Sequence, residues 1–489
     1  MTDVRGLRRH VLSLTSANIL DYVLQFFLPI LLVRFLDKQA FADYRLAWLV
    51  IGTVMAIAPF YMPRSLFYFL PRASGKPENT YINQCLLFLL ATGAISALAV
   101  SHLNPWLPEQ VRNIEGGTWF LPAFLLVWVG GSMIELLPNA EQRTVLQAKL
   151  IALLALSRVV LVGAAALTGK VEAVFFGLLL YGVAKLLLGI VYIGLNHGWR
   201  MWQTERRSWL EQLHYILPYG VSSAIFALRG QTDQWVAASL FQPSDFAAYS
   251  IAAIVAVGVS LIRTSVNNAV TPRINALHGN DDIPGMTRLN QSINAAIAYI
   301  LLLYLGLVFV VADPLVDVVY THAYAAAANV MRVNVIALVG VTVEVSTMMY
   351  AFNQGRYLLA VECINILIGV TASYLGAQYF GLPGAALGGV VMLWLGNAAS
   401  FWRVSRLTSI ELRNLQAWRS VFQALGSTVI AVAVAMSLGN LLPDLPPPWR
   451  LALLATLYGS TYCVAVQFYG GWSAVAEVFG VRGGRGQQL

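Results

Sequence analysis

Charge is scarce in this chain. Of its 489 residues 11% are charged, with 23 acids against 31 lysines and arginines, where a soluble protein carries about 25%. That shortage, with 58% hydrophobic residues, excludes a soluble domain and points to an all-α integral membrane protein. Cysteine is nearly absent. Cys85, Cys363 and Cys463 lie in apolar segments with no CxxC spacing, which excludes a loop disulfide framework and a cysteine metal site. The six histidines (His10, His102, His197, His214, His278, His322) fall singly at segment ends or in loops, so no metal constellation or Ser-His-Asp arrangement is expected. There is no GxxxxGK[ST] run. The glycine-rich tail GVRGGRG at 480–486 lacks the Lys-Ser/Thr pair, so neither ATP hydrolysis nor any cofactor is expected. Nucleic acid is not expected either, because the net charge of +8 belongs mostly to loops on one side of a membrane.

What is present is a series of apolar runs long enough to cross a bilayer, about 20 residues each. Fourteen are expected: 11–35, 46–70, 81–101, 119–140, 150–168, 172–195, 215–240, 246–272, 291–312, 328–352, 357–377, 383–403, 419–438 and 450–469. The first follows Arg5, Arg8 and Arg9. It has no small-residue cleavage site and runs on through Pro29, so it reads as a first membrane helix. With the N-terminus inside, 19 of the 31 cations fall in inner loops and 6 in outer ones. This asymmetry places both termini in the cytoplasm. No loop is long enough for a soluble domain or for the catalytic outer loop of a membrane-embedded polysaccharide polymerase.

Two short segments repeat. FLDKQAFADYRL at 35–46 and LFQPSDFAAYSI at 240–251 match at Phe41/Phe246, Ala42/Ala247 and Tyr44/Tyr249; GKVEAVFFG at 169–177 and GLPGAALGG at 381–389 match at both glycines and at Ala173/Ala385. The offsets are close to one another and span six helices. Two parallel six-helix repeats, a transporter architecture with the substrate site between halves, are expected. The expected organisation is an N-terminal lobe at 1–196, an amphipathic cytoplasmic linker at 197–213, a C-terminal lobe at 214–404, and a further linker, two helices and tail at 405–489. The Trp, Arg and Glu residues of the first linker suit the inner leaflet surface.

Five cations interrupt membrane-length runs: Arg64, Arg158, Lys185, Arg229 and Arg263. A charge at the bilayer centre costs at least about 2.5 kcal/mol, so such groups face a bundle interior or a water-filled path. Arginine forks suit phosphate oxygens, and the five are read as an anion-binding set. Arg263 is the leading candidate because its helix face carries Asn267 and no acid. The other four have plainer readings. Arg229 and Asp233 stand four residues apart and can neutralise one another. Arg64, which follows Pro59 and Pro63, can snorkel to the inner headgroups. Glu135 can pair with either Arg158 or Lys185, but not with both. Asn18, Asp21, Tyr22 and Gln25 share one stripe of the first helix, read as cavity-lining, with interhelical hydrogen bonding as the alternative. Asp233, Glu344, Glu362 and Glu135 are candidate ion-coupling acids. The aromatics Tyr22, Trp235 and Tyr350 read as packing residues, with stacking on sugar rings as the alternative.

The first-loop residues Leu32-Val33-Arg34-Phe35-Leu36 and Phe41-Ala42-Asp43-Tyr44, the later Asp233 with Phe246-Ala247-Ala248-Tyr249-Ser250, and the turn Gly381-Leu382-Pro383-Gly384-Ala385-Ala386 resemble the oligosaccharide flippases of the multidrug/oligosaccharidyl-lipid/polysaccharide (MOP) exporter superfamily. That group includes O-antigen flippases and the lipid II flippase. The resemblance covers helices one to twelve. It departs at Asp233, which has Gln231 and Gln234 nearby where relatives often carry a base. It implies two pseudo-symmetric six-helix lobes around a central cavity, plus two C-terminal helices. It also implies movement of a polyprenyl-pyrophosphate-linked oligosaccharide to the outer leaflet of a bacterial inner membrane. The implied partners are that lipid-linked oligosaccharide, membrane lipid, and a polysaccharide polymerase or other assembly protein. A cation-coupled drug exporter of the same superfamily is the main alternative, and a polymerase the lesser one.

Overall fold

The computed structural model describes residues 4–72, 78–198, 204–441, 445–472 and 476, and these contain helices and turns but no strand. Eleven of the described helical segments are long and apolar enough to cross a membrane. The other three expected spans fall outside that count. They are helical at Arg206–Arg229 with Thr232–Leu240, at Ala326–Val339 with Ser346–Ala351, and at Leu387–Thr408. The chain divides into two compact units, Met1–Gln231 with Gln242–Ala247, and Thr232–Phe241 with Ala248–Leu489.

In the first unit, Val4–Phe35 ends at Asp37. The Asp37 side chain accepts the Ala40 N–H at 2.8 Å and starts Lys38–Ile57, satisfying one of the orphan donors of a helix N-terminus. Val4–Phe35 packs along Thr144–Ala166, and Gly117–Gly131 packs on Glu78–Ala99 and Val171–His197. Aromatic rings fill this core: Phe120 stacks on Phe175 at 4.2 Å, and Phe124, Trp128 and Trp48 continue the cluster. Arg206–Arg229 packs against Lys38–Ile57, Met62–Phe69 and Glu78–Ala99.

The expected span at 46–70 is broken in the structure. Lys38–Ile57 stops, and Met62–Phe69 restarts after Phe60 (φ 43°) and Tyr61 (φ 66°), two consecutive non-glycine residues in the left-handed region. Pro63 removes a backbone donor in the first turn of the restart, where none is needed. Left-handed backbone costs about 1–2 kcal/mol per non-glycine residue, so the break is held by the packing around it.

In the second unit, Ile283–Val319 is the central element, and Trp418–Leu441 and Pro447–Phe468 both dock on it. Docking uses small residues (Ala424, Ser427, Ala431, Ala435) and two buried tyrosines. The Tyr458 hydroxyl donates to the Leu302 carbonyl at 3.0 Å and the Tyr462 hydroxyl to that of Tyr299 at 2.7 Å. The pair Gly355–Ala385 and Leu387–Thr408 crosses where Gly369 meets Met392 and Gly388 meets Ser373, and within the first of them Gly376 closely approaches Gly384. Gly381 kinks the first of these helices with φ 65° and ψ −149°, a conformation reserved for glycine.

A Cβ on Gly384 would overlap the Gly376 carbonyl oxygen, whereas one on Gly459 would meet nothing within 4 Å. Gly384→Ala is therefore expected to lower stability by about 1–3 kcal/mol. Gly459→Ala, inside a helix, is expected to leave it unchanged or raise it by about 0.5–1 kcal/mol. Thermal unfolding of the detergent-solubilised variants distinguishes the two, and equal shifts would contradict the close approach of Gly376 and Gly384 across the kink.

Candidate functional site

The five intramembrane cations do not share one environment. Arg158, on Thr144–Ala166, is buried, and its Nη2 lies 2.7 Å from Asp21 Oδ1 on the first helix. Gln25 Nε2 donates to the other Asp21 oxygen at 2.7 Å. Part of the stripe Asn18, Asp21, Tyr22 and Gln25 is thus engaged in holding Arg158, while Asn18 and Tyr22 are exposed on the unit surface. Lys185 is fully buried, with its Nζ 2.6 Å from Glu135 Oε1 and 4.3 Å from the centre of the Trp128 ring. Glu135 therefore pairs with Lys185, and Arg158 takes a partner that sequence reasoning had placed in a separate cluster.

Arg263 is not an unpaired cation. It is buried, and it straps a break in the second unit. Ala326–Val339 passes into a 3-10 turn, then into extended backbone at Val343, before Ser346–Ala351 begins. A broken membrane helix frees carbonyls that need donors. Arg263 Nε and Nη2 donate to the Val341 carbonyl at 2.8 and 2.6 Å, and Nη2 also to that of Thr342 at 2.7 Å. Nη1 donates to Asn294 Oδ1 at 3.0 Å, and Asn294 Nδ2 donates to the Glu344 carbonyl at 2.8 Å. The Glu344 carboxylate lies 3.5 Å from Arg263 Nε and accepts from Asn267 Nδ2 at 3.3 Å and from the Ser346 hydroxyl. Asn397 Nδ2 donates to the Gly340 carbonyl at 2.6 Å. Glu344 and Asn267, expected in separate roles, belong to this one network. The acid sits in the helix break itself, 81 positions along the chain, so a search of Arg263's own helix face did not reveal it.

Arg229 closes Arg206–Arg229 with its guanidinium 4.9 Å from the Phe226 ring, and Asp233 lies in the first turn of Thr232–Leu240. The expected continuous helix is interrupted at Gly230 and Gln231. Gln231 instead accepts from the Thr53 hydroxyl at 2.5 Å. Asp233 accepts from the Tyr249 hydroxyl at 2.6 Å, one of the repeat-motif residues. Glu362 is partly buried on Gly355–Ala385.

Arg64 differs from Arg158, Lys185 and Arg263. It stands in the first turn after the Phe60–Tyr61 break, is exposed, and lies 5.4 Å above the Tyr61 ring, with no acid partner among the described residues. The helix N-terminus beside it adds positive potential.

A polar cluster that sequence reasoning missed joins three segments at one end of the first unit. Glu141 accepts from the Tyr192 hydroxyl at 2.5 Å and faces His197 Nε2 at 2.6 Å, with Arg143 at 3.7 Å. His197 Nδ1 meets Asn79 Oδ1 at 3.2 Å, and Asn79 Nδ2 donates to the His197 carbonyl at 2.6 Å. Burial alone would raise the Glu141 carboxyl, but the hydrogen bonds from His197 and Tyr192 and the nearby positive charge outweigh it, holding the carboxyl below its ordinary value. No local motif links residues 79, 141 and 197. Among the described residues, no group of three His, Cys, Asp or Glu side chains could hold a metal.

These features define a multi-pass helical membrane protein with charge networks built into its spans and its helix breaks. A family model described as polysaccharide biosynthesis protein matches residues 7–278, which is 272 of the 489 residues, and the chain belongs to that family. No curated protein matches the chain in sequence. Among solved structures, the lipid II flippase MurJ in an inward closed conformation superposes with a TM-score of 0.65 at 14% identity, covering 93% of this chain and 100% of that one. An inward-facing multidrug-resistance transporter of the MATE family, itself of the MOP superfamily, gives 0.61 at 15% identity over 80% and 95% of the two chains. A MOP superfamily transporter from Pyrococcus furiosus, described as having a binding pocket of reverse polarity, gives 0.52 at 15% identity over 83% and 96%. At these identities the likeness establishes the MOP transporter fold.

Two tests follow from the charge networks. Removing one partner of a buried pair costs about 3–5 kcal/mol, while replacing both with apolar residues restores much of it. Arg158→Leu is thus expected to destabilise strongly and Asp21→Leu/Arg158→Leu markedly less, by thermal unfolding; additive losses would contradict the pairing. At the Glu141 cluster the carboxyl has a depressed native value. Its stabilising contribution is complete above the ordinary range near about pH 4.3 and is lost as pH falls through the lower native value. Glu141→Gln should lower stability at pH 7 and remove that acid-side loss.

Proposed function

We propose that this protein is a flippase moving a polyprenyl-pyrophosphate-linked oligosaccharide from the cytoplasmic to the outer leaflet of a bacterial inner membrane, by alternating access, for cell-surface polysaccharide assembly. Both termini then lie in the cytoplasm, and an assembly protein such as a polymerase takes the delivered lipid outside. The family match to polysaccharide biosynthesis supports this reading, as does the fold shared with a lipid II flippase. The observation that carries it is the charge arrangement. Arg158, Lys185 and Arg263 are each matched by an acid of their own, while Arg64 stands exposed at a broken helix with no acid partner among the described residues. An exposed guanidinium in a membrane span suits a diphosphate carried by a lipid.

A second reading, a cation-coupled exporter of small molecules, draws on Asp233. Its carboxylate is held by Tyr249 within a span and is the kind of group that binds a proton or cation. Flippases and MATE exporters share the fold, so the substrate must be tested directly.

In proteoliposomes, leaflet accessibility of a pyrophosphate-linked oligosaccharide should change with time for wild type. Arg64→Gln should slow it by about tenfold or more, the worth of one charged hydrogen-bond donor set, and Arg64→Lys should slow it less. Wild-type rates in Arg64→Gln would sink the anion-contact role. Ion-driven efflux of a cationic dye, lost in Asp233→Asn with no glycolipid movement, would support the exporter instead.

A further inference from the structure

Beside Arg64 runs a ladder of four tyrosines within the first unit. Tyr61 stacks on Tyr219 with ring centres 5.1 Å apart and planes 18° apart. Tyr219 meets Tyr215 at 5.4 Å, and Tyr215 stacks on Tyr68 at 4.6 Å and 23°. The arginines cap both ends. Arg64 lies over Tyr61 at 5.4 Å, and Arg72 lies over Tyr68 at 4.1 Å and donates to the Tyr68 carbonyl at 3.0 Å. Two helices build it: Tyr61 and Tyr68 stand seven residues apart around Met62–Phe69, and Tyr215 and Tyr219 stand four apart on Arg206–Arg229. At about 1.5 Å rise per residue the ladder extends about 10 Å along the helices.

Packing accounts for the rings but not for the hydroxyls. None of the four phenol hydroxyls has a hydrogen-bond partner among the described residues. Elsewhere Tyr192, Tyr249, Tyr458 and Tyr462 each donate to a carboxylate or a carbonyl. Four phenylalanines would stack as well. Tyr68 is 39% exposed and Tyr219 49%, while Tyr61 and Tyr215 are half-buried. Polar groups facing hydrocarbon without partners are costly, so these hydroxyls call for water or a polar ligand. A cavity of about 1070 Å³ adjoins the ladder, with Tyr68, Tyr215, Phe60, Phe69 and Phe88 among its walls. That is at the upper end of small-molecule sites, about 300–1,000 Å³.

We propose that this ladder is a glycan-binding track. Sugar hydroxyls bond to the phenol hydroxyls of Tyr61, Tyr68, Tyr215 and Tyr219, and the anionic group bearing the glycan sits at Arg64. This rests on the flippase reading and deepens it. It assigns recognition of the sugars, as distinct from the diphosphate, to one face of the first unit. A stacked row binds with little loss of side-chain freedom, because its rings are already fixed.

The test uses the full-length protein in detergent and farnesyl pyrophosphate, either bare or linked to one of four sugars (N-acetylglucosamine, glucose, galactose or rhamnose). At least one sugar-bearing probe should bind wild type about tenfold or more tighter than the bare lipid, the worth of one or two hydrogen bonds. The Tyr61→Phe/Tyr68→Phe/Tyr215→Phe/Tyr219→Phe variant keeps the stack. It should bind that probe within about twofold of the bare lipid, with bare-lipid affinity unchanged and an unchanged melting midpoint. Arg64→Gln should weaken all probes, bare lipid included. If none of the four sugars binds wild type better than the bare lipid, or the quadruple variant keeps the full preference, the proposal is overturned. Should the quadruple variant fail to fold, Tyr215→Phe/Tyr219→Phe alone must lose part of the preference. Translocation is scored separately. Sugar preference without translocation would leave the track standing and reject the flippase reading, and translocation with no tyrosine-dependent preference would do the reverse.

Discussion

A charge placed inside a membrane must be matched by protein or kept wet, and this constraint organises the molecule. The cost is several kcal/mol per uncompensated group, large beside the net stability of a folded domain, about 5–15 kcal/mol. The chain meets it in two ways. Arg158, Lys185 and Arg263 are buried against Asp21, Glu135 and Glu344. Arg64 is left exposed at a helix break, next to aromatic rings whose hydroxyls also lack partners among the described residues. Matched charges fix helices to one another, and an unmatched one such as Arg64 is where an anionic substrate gains most from binding.

The helix breaks obey the same constraint applied to the backbone. Where the helix of residues 326–351 opens, Arg263, Asn294 and Asn397 supply donors to the freed carbonyls of residues 340–344. The cation that looked from sequence like a ligand for substrate is thus committed to backbone repair. At the Phe60–Tyr61 break the backbone is strained in the left-handed region, and Arg64 follows at once with no such commitment. One break is sealed by an arginine and the other presents one.

Much of the fold was legible in the sequence because hydropathy reports burial in lipid directly. The apolar runs were found as helices, and the turns carrying the repeat motifs lie between spans, with Asp37 capping one and Gly381 kinking the other. Prolines 59 and 63 marked a disturbance in the second span, though only coordinates show it to be a full interruption. The continuous helix expected at 215–240 was wrong at Gly230 and Gln231, because local composition there resembles any other span. The site was less legible. The intramembrane charges stood out by cost alone, but their partners lie 50 to 137 residues away in sequence, beyond any helical periodicity. The spacing of Tyr61, Tyr68, Tyr215 and Tyr219 put each pair on one helix face, yet nothing local said that the two faces would meet.

The most direct measurement is a cryo-EM structure of the full-length protein with farnesyl pyrophosphate-linked N-acetylglucosamine bound. Phosphate density should lie within hydrogen-bond reach of Arg64, while Arg158, Lys185 and Arg263 remain on Asp21, Glu135 and Glu344. Phosphate held by Arg263, with its strap across residues 340–344 released, would contradict the division between matched and unmatched cations on which the account rests.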